Sequence, residues 1–136
     1  TANKEPFQSM HKSGISGLEL LDHPIILREE NSGTRQEMER CLRSRNIDPE
    51  KLHVIAQIDN PEAIRSSVSR GLGISVMSIL AAREYLLSGQ LLSFELGNQG
   101  AFRNIYLTWR KDALLSAGEQ KFLEYVKERP LVTAEE

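Results

Sequence analysis

Short apolar runs and longer stretches with a helical repeat of apolar positions take turns along this chain. Residues 15–20 read as the opening of a short helix. Ser16 and Glu19 have capping-box spacing, and Ile15 and Leu20 are placed as a hydrophobic staple. The apolar run Pro24-Ile25-Ile26-Leu27 predicts a buried strand. A turn at Asn31-Ser32-Gly33 leads to a second capping-box spacing, Thr34 with Glu37, and to a helix reaching about Arg45. Its acids (Glu37, Glu39) come early and its bases (Arg43, Arg45) late, as the helix dipole favours. A second strand is predicted over 52–58. Asp59-Asn60-Pro61-Glu62 then supplies a cap, a proline at the first helical position and an early acid. That helix carries Ile64 and Val68 on one face and stops at Gly71, a left-handed cap.

Further along, Ile74-Ser75-Val76-Met77 predicts a third strand, and 79–87 a helix closed by Gly89. Residues 91–96 and 102–109 predict two more strands. Ser116 and Glu119 form another capping box, opening a final helix with Phe122, Leu123 and Val126 on one stripe. Residues 130–136 are expected to be a mobile tail. The predicted order, a helix followed by β-α-β-α-β-α-β-β-α, makes the fold class α/β, with a mainly parallel sheet flanked by helices.

In such sheets a ligand sits beyond the carboxyl ends of the strands, against helix starts. Two segments reach that edge: Asn31-Ser32-Gly33-Thr34, and Asp59-Asn60-Pro61. Backbone N–H groups at helix starts favour carboxylate or phosphate, so a small anion is the expected ligand class. Helix capping alone accounts equally well for Ser32, Gly33, Thr34, Asp59 and Asn60. Arg35 has the charge to assist, although an arginine at the second helical position ordinarily faces solvent. Gly73 and Ile74 complete the candidate set. Gly73 would let backbone approach a ligand, but close packing explains both residues more simply.

Composition narrows the function classes. With 136 residues the chain is long enough for one domain with a real core. The 17 basic and 19 acidic residues nearly cancel, leaving no electrostatic footprint for nucleic acid or an anionic membrane. The single cysteine, Cys41, excludes an intrachain disulfide and fits a reducing compartment. It lies inside a helix near Met38 and Leu42, so burial is expected rather than redox sensing. His11, His23 and His53 show no metal-ligand spacing, and no metal is expected. The Arg40, Arg43, Arg45 cluster reads as a solvated face, and Phe102 and Trp109 as core or interface. Residues 1–12 are polar, without the apolar core of a signal peptide, and no initiator Met is present. The chain is therefore read as an excised fragment. No window approaches the roughly 18 apolar residues that a membrane span needs.

Three segments, in this order, resemble the LysR-type bacterial transcriptional regulators. The first is His23-Pro24-Ile25-Ile26-Leu27-Arg28-Glu29 with Ser32-Gly33-Thr34-Arg35. The second is Asn60-Pro61-Glu62-Ala63-Ile64 running into Val68-Ser69-Arg70-Gly71-Leu72-Gly73-Ile74-Ser75. The third is Leu115-Ser116-Ala117 leading to Phe122. Met77-Ser78 departs from the pattern, where many members have a proline after the strand.

The resemblance implies one lobe of a type 2 periplasmic-binding-protein-like effector-binding domain, from a regulator that binds DNA through a helix-turn-helix absent from this sequence. Residues 1–12 would be a flexible or crossover segment, 13–110 the second lobe, and 111–129 a return segment with a final helix packing on the missing first lobe. A small-molecule effector, a carboxylate or other anion, would bind between the lobes. The implied site is Asn31, Ser32, Gly33, Thr34, Arg35, Asp59, Asn60, Gly73 and Ile74. The protein would be cytoplasmic and homo-oligomeric, without membrane contact, cofactor or catalytic residues. Two alternatives stand beside this: a lobe of a solute-binding protein for transport, and an α/β enzyme with Cys41 or Ser32 as nucleophile. No base or orienting acid at suitable spacing supports the enzyme.

Overall fold

The computed structural model describes residues 1–11, 16–94 and 106–129. The chain divides into two compact units, Thr1–Arg103 and Asn104–Glu136. In the first, after a single helical turn α1 (Phe7–Met10), the central feature is a parallel pair of short strands, β1 (Ile25–Leu27) and β2 (Val54–Gln57). Ile25 stands opposite Val54, Ile26 opposite Ala56 and Leu27 opposite Gln57, with an irregularity between Ile25 and Ile26. All three β1 residues are buried, as a central parallel strand covered on both faces should be.

Side chains alternate across a strand, so β1 feeds two cores. Ile25 and Leu27 join Met38 and Leu42 of α2 (Gly33–Arg43) on one face. Ile26 joins Ile64 and Val68 of α3 (Pro61–Ser69) on the other. Strand β2 is the edge, with Val54 and Ile55 exposed.

Several element ends follow from local chemistry. Ser16 and Glu19 exchange the two bonds of a capping box, Ser16 N–H to Glu19 Oε2 at 2.6 Å and Glu19 N–H to Ser16 Oγ at 3.2 Å. The box lies just ahead of a short 3-10 turn, Glu19–Asp22, that stands in place of the expected α-helix. Ile15, the expected staple partner, lies outside the described residues. Asn60 caps α3 and Pro61 takes its first position. Helix α2 ends in a Schellman motif: Asn46, at φ +59°, donates to Arg43 O and Ile47 donates to Leu42 O. Gly71 and Gly89, at φ +78° and +70°, close α3 and α4 (Ile79–Leu87) in the same way.

Five expectations are corrected. Thr34 and Glu37 form no capping box. Helix α2 begins two residues earlier, with Ser32 at its N-cap, because Gln36 N–H already bonds Ser32 O at 3.0 Å; Glu37 pairs with Arg40 instead. The third strand is reduced to one parallel bridge, Ile25 to Ile74. Ile26 N–H reaches Ile74 O at 2.8 Å and the Ser75 hydroxyl donates to Ile26 O at 2.7 Å, so a side-chain bond stands where the next ladder bond would fall. The strand expected from residue 91 is one antiparallel bridge, Ala2 to Leu91, as far as residue 94; 95–96 lie outside the described residues. Of the last expected strand, 102–105 lie outside the description. Residues 106–109 make no ladder, and Trp109, expected in core or interface, is 53% exposed.

The second unit contains α5 (Ala117–Glu128), opened by the expected capping box of Ser116 and Glu119, with bonds of 2.7 and 3.3 Å. Leu123 and Val126 are half-buried, whereas Phe122 and Tyr125 are exposed. Residues 130–136, the expected mobile tail, lie outside the described residues. Among the described residues no helix is long and apolar enough to cross a membrane.

Candidate functional site

Parallel strands send their carboxyl ends to one edge, and here three chain segments leave that edge as helices. Between them is a cleft of about 130 Å³. Arg28, the first residue after β1, lines it with Thr34 from the first turn of α2. Pro61 and Ile64 come from the first turn of α3, and Met77, Ser78 and Ala81 from the entry to α4.

The three helix starts differ. The Asn60 side chain accepts from Glu62 N–H at 2.9 Å and Ala63 N–H at 3.4 Å, so α3 satisfies its own first donors. Ser32 and Ser78, at the N-caps of α2 and α4, make no side-chain cap bond. The first-turn N–H groups of those two helices therefore have no side-chain cap, as an anion would require.

The walls are tied together from outside the cleft. Arg65 of α3 donates to Ala81 O of α4 at 2.8 Å and pairs with Glu62, and the Tyr85 hydroxyl of α4 donates to Glu62 at 2.6 Å. The Tyr85 bond, then that from Arg65, holds the Glu62 carboxyl below its ordinary pKa.

Arg28 is the one charged side chain among the described lining residues. Its Nε and Nη2 each donate to Glu29 at 2.8 Å. The bond from Arg28 lowers the Glu29 pKa, and Glu29 in turn raises that of Arg28. Asp59 adds a weaker favourable charge at Arg28.

Residues 11–130 match the LysR substrate binding domain. The chain belongs to that family. It is 31% identical over 112 residues to the HTH-type transcriptional activator CmpR of Synechocystis sp., covering 82% of this chain and 36% of that protein. It is 32% identical over 112 residues to the RuBisCO operon transcriptional regulator of Allochromatium vinosum, with the same coverage of 82% and 36%. The HTH-type transcriptional regulator YeiE of Escherichia coli is 28% identical over 120 residues, covering 88% of this chain and 40% of that protein. This LysR substrate-binding domain chain thus spans a little over a third of the length of these relatives.

Within the LysR chain, the residues singled out in sequence fall into two groups. Thr34 lines the cleft, with Asn31, Ser32, Gly33 and Arg35 around the same helix start, and Asp59 and Asn60 stand at the neighbouring start beside Pro61. Ser32 is buried, and Asn31 and Gly33 are exposed. Arg35 is not turned to solvent. Its side chain is only 15% exposed, its Nε bonds Glu39 at 2.8 Å, and its Nη1 reaches Arg28 O at 3.3 Å. Gly73 and Ile74 do not line the cleft; they pack beside Pro24, at the opposite end of β1. Cys41 is buried, as expected.

Arg28, Ile64, Met77, Ser78 and Ala81 were not among the expected site residues. Ser78 was legible on the same logic as Ser32, a cap-forming residue between a strand segment and a helix. Arg28 was legible as the first polar residue after the β1 run.

Proposed function

We propose that this chain is a large part of the effector-sensing domain of a LysR-type transcriptional regulator, and that its cleft binds a small anionic metabolite. In this reading 13–110 form the second lobe of a type 2 periplasmic-binding-protein-like domain, and 111–129 return toward a first lobe outside this sequence. The observation that carries the reading is the meeting of two uncapped helix starts, α2 and α4, with the Arg28 guanidinium at one strand edge. Backbone N–H groups and a planar cation are the groups that hold carboxylates and phosphates. A cleft of about 130 Å³ is smaller than the ~300 Å³ at which enclosing ligand pockets begin, which supports its being one wall of a larger site.

The relatives, a transcriptional activator and a RuBisCO operon transcriptional regulator, support control of transcription as the output. DNA contact would come through a helix-turn-helix outside this sequence, since the near-neutral charge of this chain offers phosphates little. The exposed Phe122 and Tyr125 on α5 support assembly as a homo-oligomer.

An NMR titration with a panel of small carboxylates and sulfate, at constant ionic strength, tests the site. Shifts should cluster at Arg28, Thr34 and Ser78 and saturate in the millimolar range or above, because only one wall is present. Shifts confined to residues remote from these three would refute the site.

A further inference from the structure

Resting on the oxyanion reading of the cleft, we propose that Glu29 is a built-in competitor of the effector: its carboxylate occupies the Arg28 guanidinium, and an incoming oxyanion must displace it. Arg28 is the charged group of the lining, and its fork suits a planar carboxylate or a tetrahedral oxyanion. That fork is already engaged by two bonds to the neighbouring residue, Nε to Oε2 and Nη2 to Oε1.

Glu29 sits one residue along the chain, so it is always within reach. The pair is partly exposed, so it holds Arg28 only weakly and can exchange. A glutamate carboxyl is ionised throughout the neutral range, and Arg28 shifts its pKa further down, so the competitor is always present there. Arg35 is not a substitute anion receptor, because it is absent from the cleft lining; its side chain bonds Glu39 and the Arg28 carbonyl oxygen instead.

Two consequences follow for ligand class. A ligand able to bridge both N–H groups of the fork replaces Glu29 bond for bond, whereas a halide or a neutral polar group does not. Intrinsic affinity is also set lower than the lining would give alone.

The test is an NMR titration of the chain with sulfate alone, whose charge is constant near neutral pH, at ionic strength balanced with sodium chloride. E29Q and E29A should bind sulfate about two- to fivefold more tightly than the unaltered chain, the range that a partly exposed ion pair represents. R28Q should lose most of the binding. E30Q removes the same charge one residue along the loop, away from the fork, and should change affinity little.

Unchanged or weaker affinity in both Glu29 variants would overturn the proposal, as would equal tightening by E30Q or unaltered binding in R28Q. If sulfate moves cleft resonances equally in the unaltered chain and the Glu29 variants, competition fails while the oxyanion site stands. If sulfate moves no cleft resonance in any of them, both fail.

Discussion

Gly73 and Pro24 are held in backbone contact: a Cβ at position 73 would stand 2.6 Å from the Pro24 carbonyl oxygen. The same oxygen accepts from Ile74 N–H at 2.8 Å, the bond that starts the pairing of this segment with β1. Close approach at Gly73 therefore sets where the third segment meets the sheet, and through it where Met77 and Ser78 arrive at the cleft.

Gly73→Ala should accordingly destabilise the chain by about 1–3 kcal/mol, the range for an added carbon that forces backbone to move. Urea denaturation measures it. A variant as stable as the parent would show that the contact relaxes freely.

Asn60→Ala should cost about 0.5–2 kcal/mol, since it removes the acceptor of the Glu62 and Ala63 N–H groups at the start of α3. Asn60→Asp keeps an acceptor and should retain most of the stability. Equal losses in both variants, read from denaturation midpoints, would mean that the cap is not the source.

Glu62 predicts an acid limb. Its folded pKa lies below the unfolded reference of 4.5, chiefly through the Tyr85 hydroxyl and then Arg65. A depressed carboxyl contributes stability above the unfolded value and loses it as pH falls through the folded one. The contribution should be present at pH 7 and fade below about 4.5. Tyr85→Phe should move the Glu62 titration upward, toward the reference, by carboxyl NMR. An unmoved midpoint would show that the Tyr85 bond is not formed in solution.

Ala81→Phe should block the cleft without unfolding the chain. Ala81 is exposed and lines a space of about 130 Å³, and an apolar cavity of ~150 Å³ admits benzene. Circular dichroism should match the parent while sulfate shifts at Thr34 and Ser78 are lost. Undiminished shifts there would place anion binding elsewhere.

The sequence by itself determined where most helices start and stop. Ser16 with Glu19, Asn60 before Pro61, Ser116 with Glu119, and the left-handed Gly71 and Gly89 act over three or four residues, so their bonds are written in local spacing. The apolar runs that became β1 and β2 were legible for the same reason. Where two local options competed, sequence chose less well. Thr34 with Glu37 had capping-box spacing, but the turn at Glu29 to Ser32 began α2 earlier.

Only the tertiary structure decided the rest. Ser75 lies 49 residues from Ile26, yet its hydroxyl bonds the Ile26 carbonyl oxygen where the third segment meets β1. The cleft likewise draws on Arg28, Thr34, Ile64, Ser78 and Ala81, which meet because β1 pairs in parallel with segments on both sides and delivers three helix starts to one edge. Strand order and register are choices among long-range backbone bonds, and no local spacing records which of them the folded chain makes.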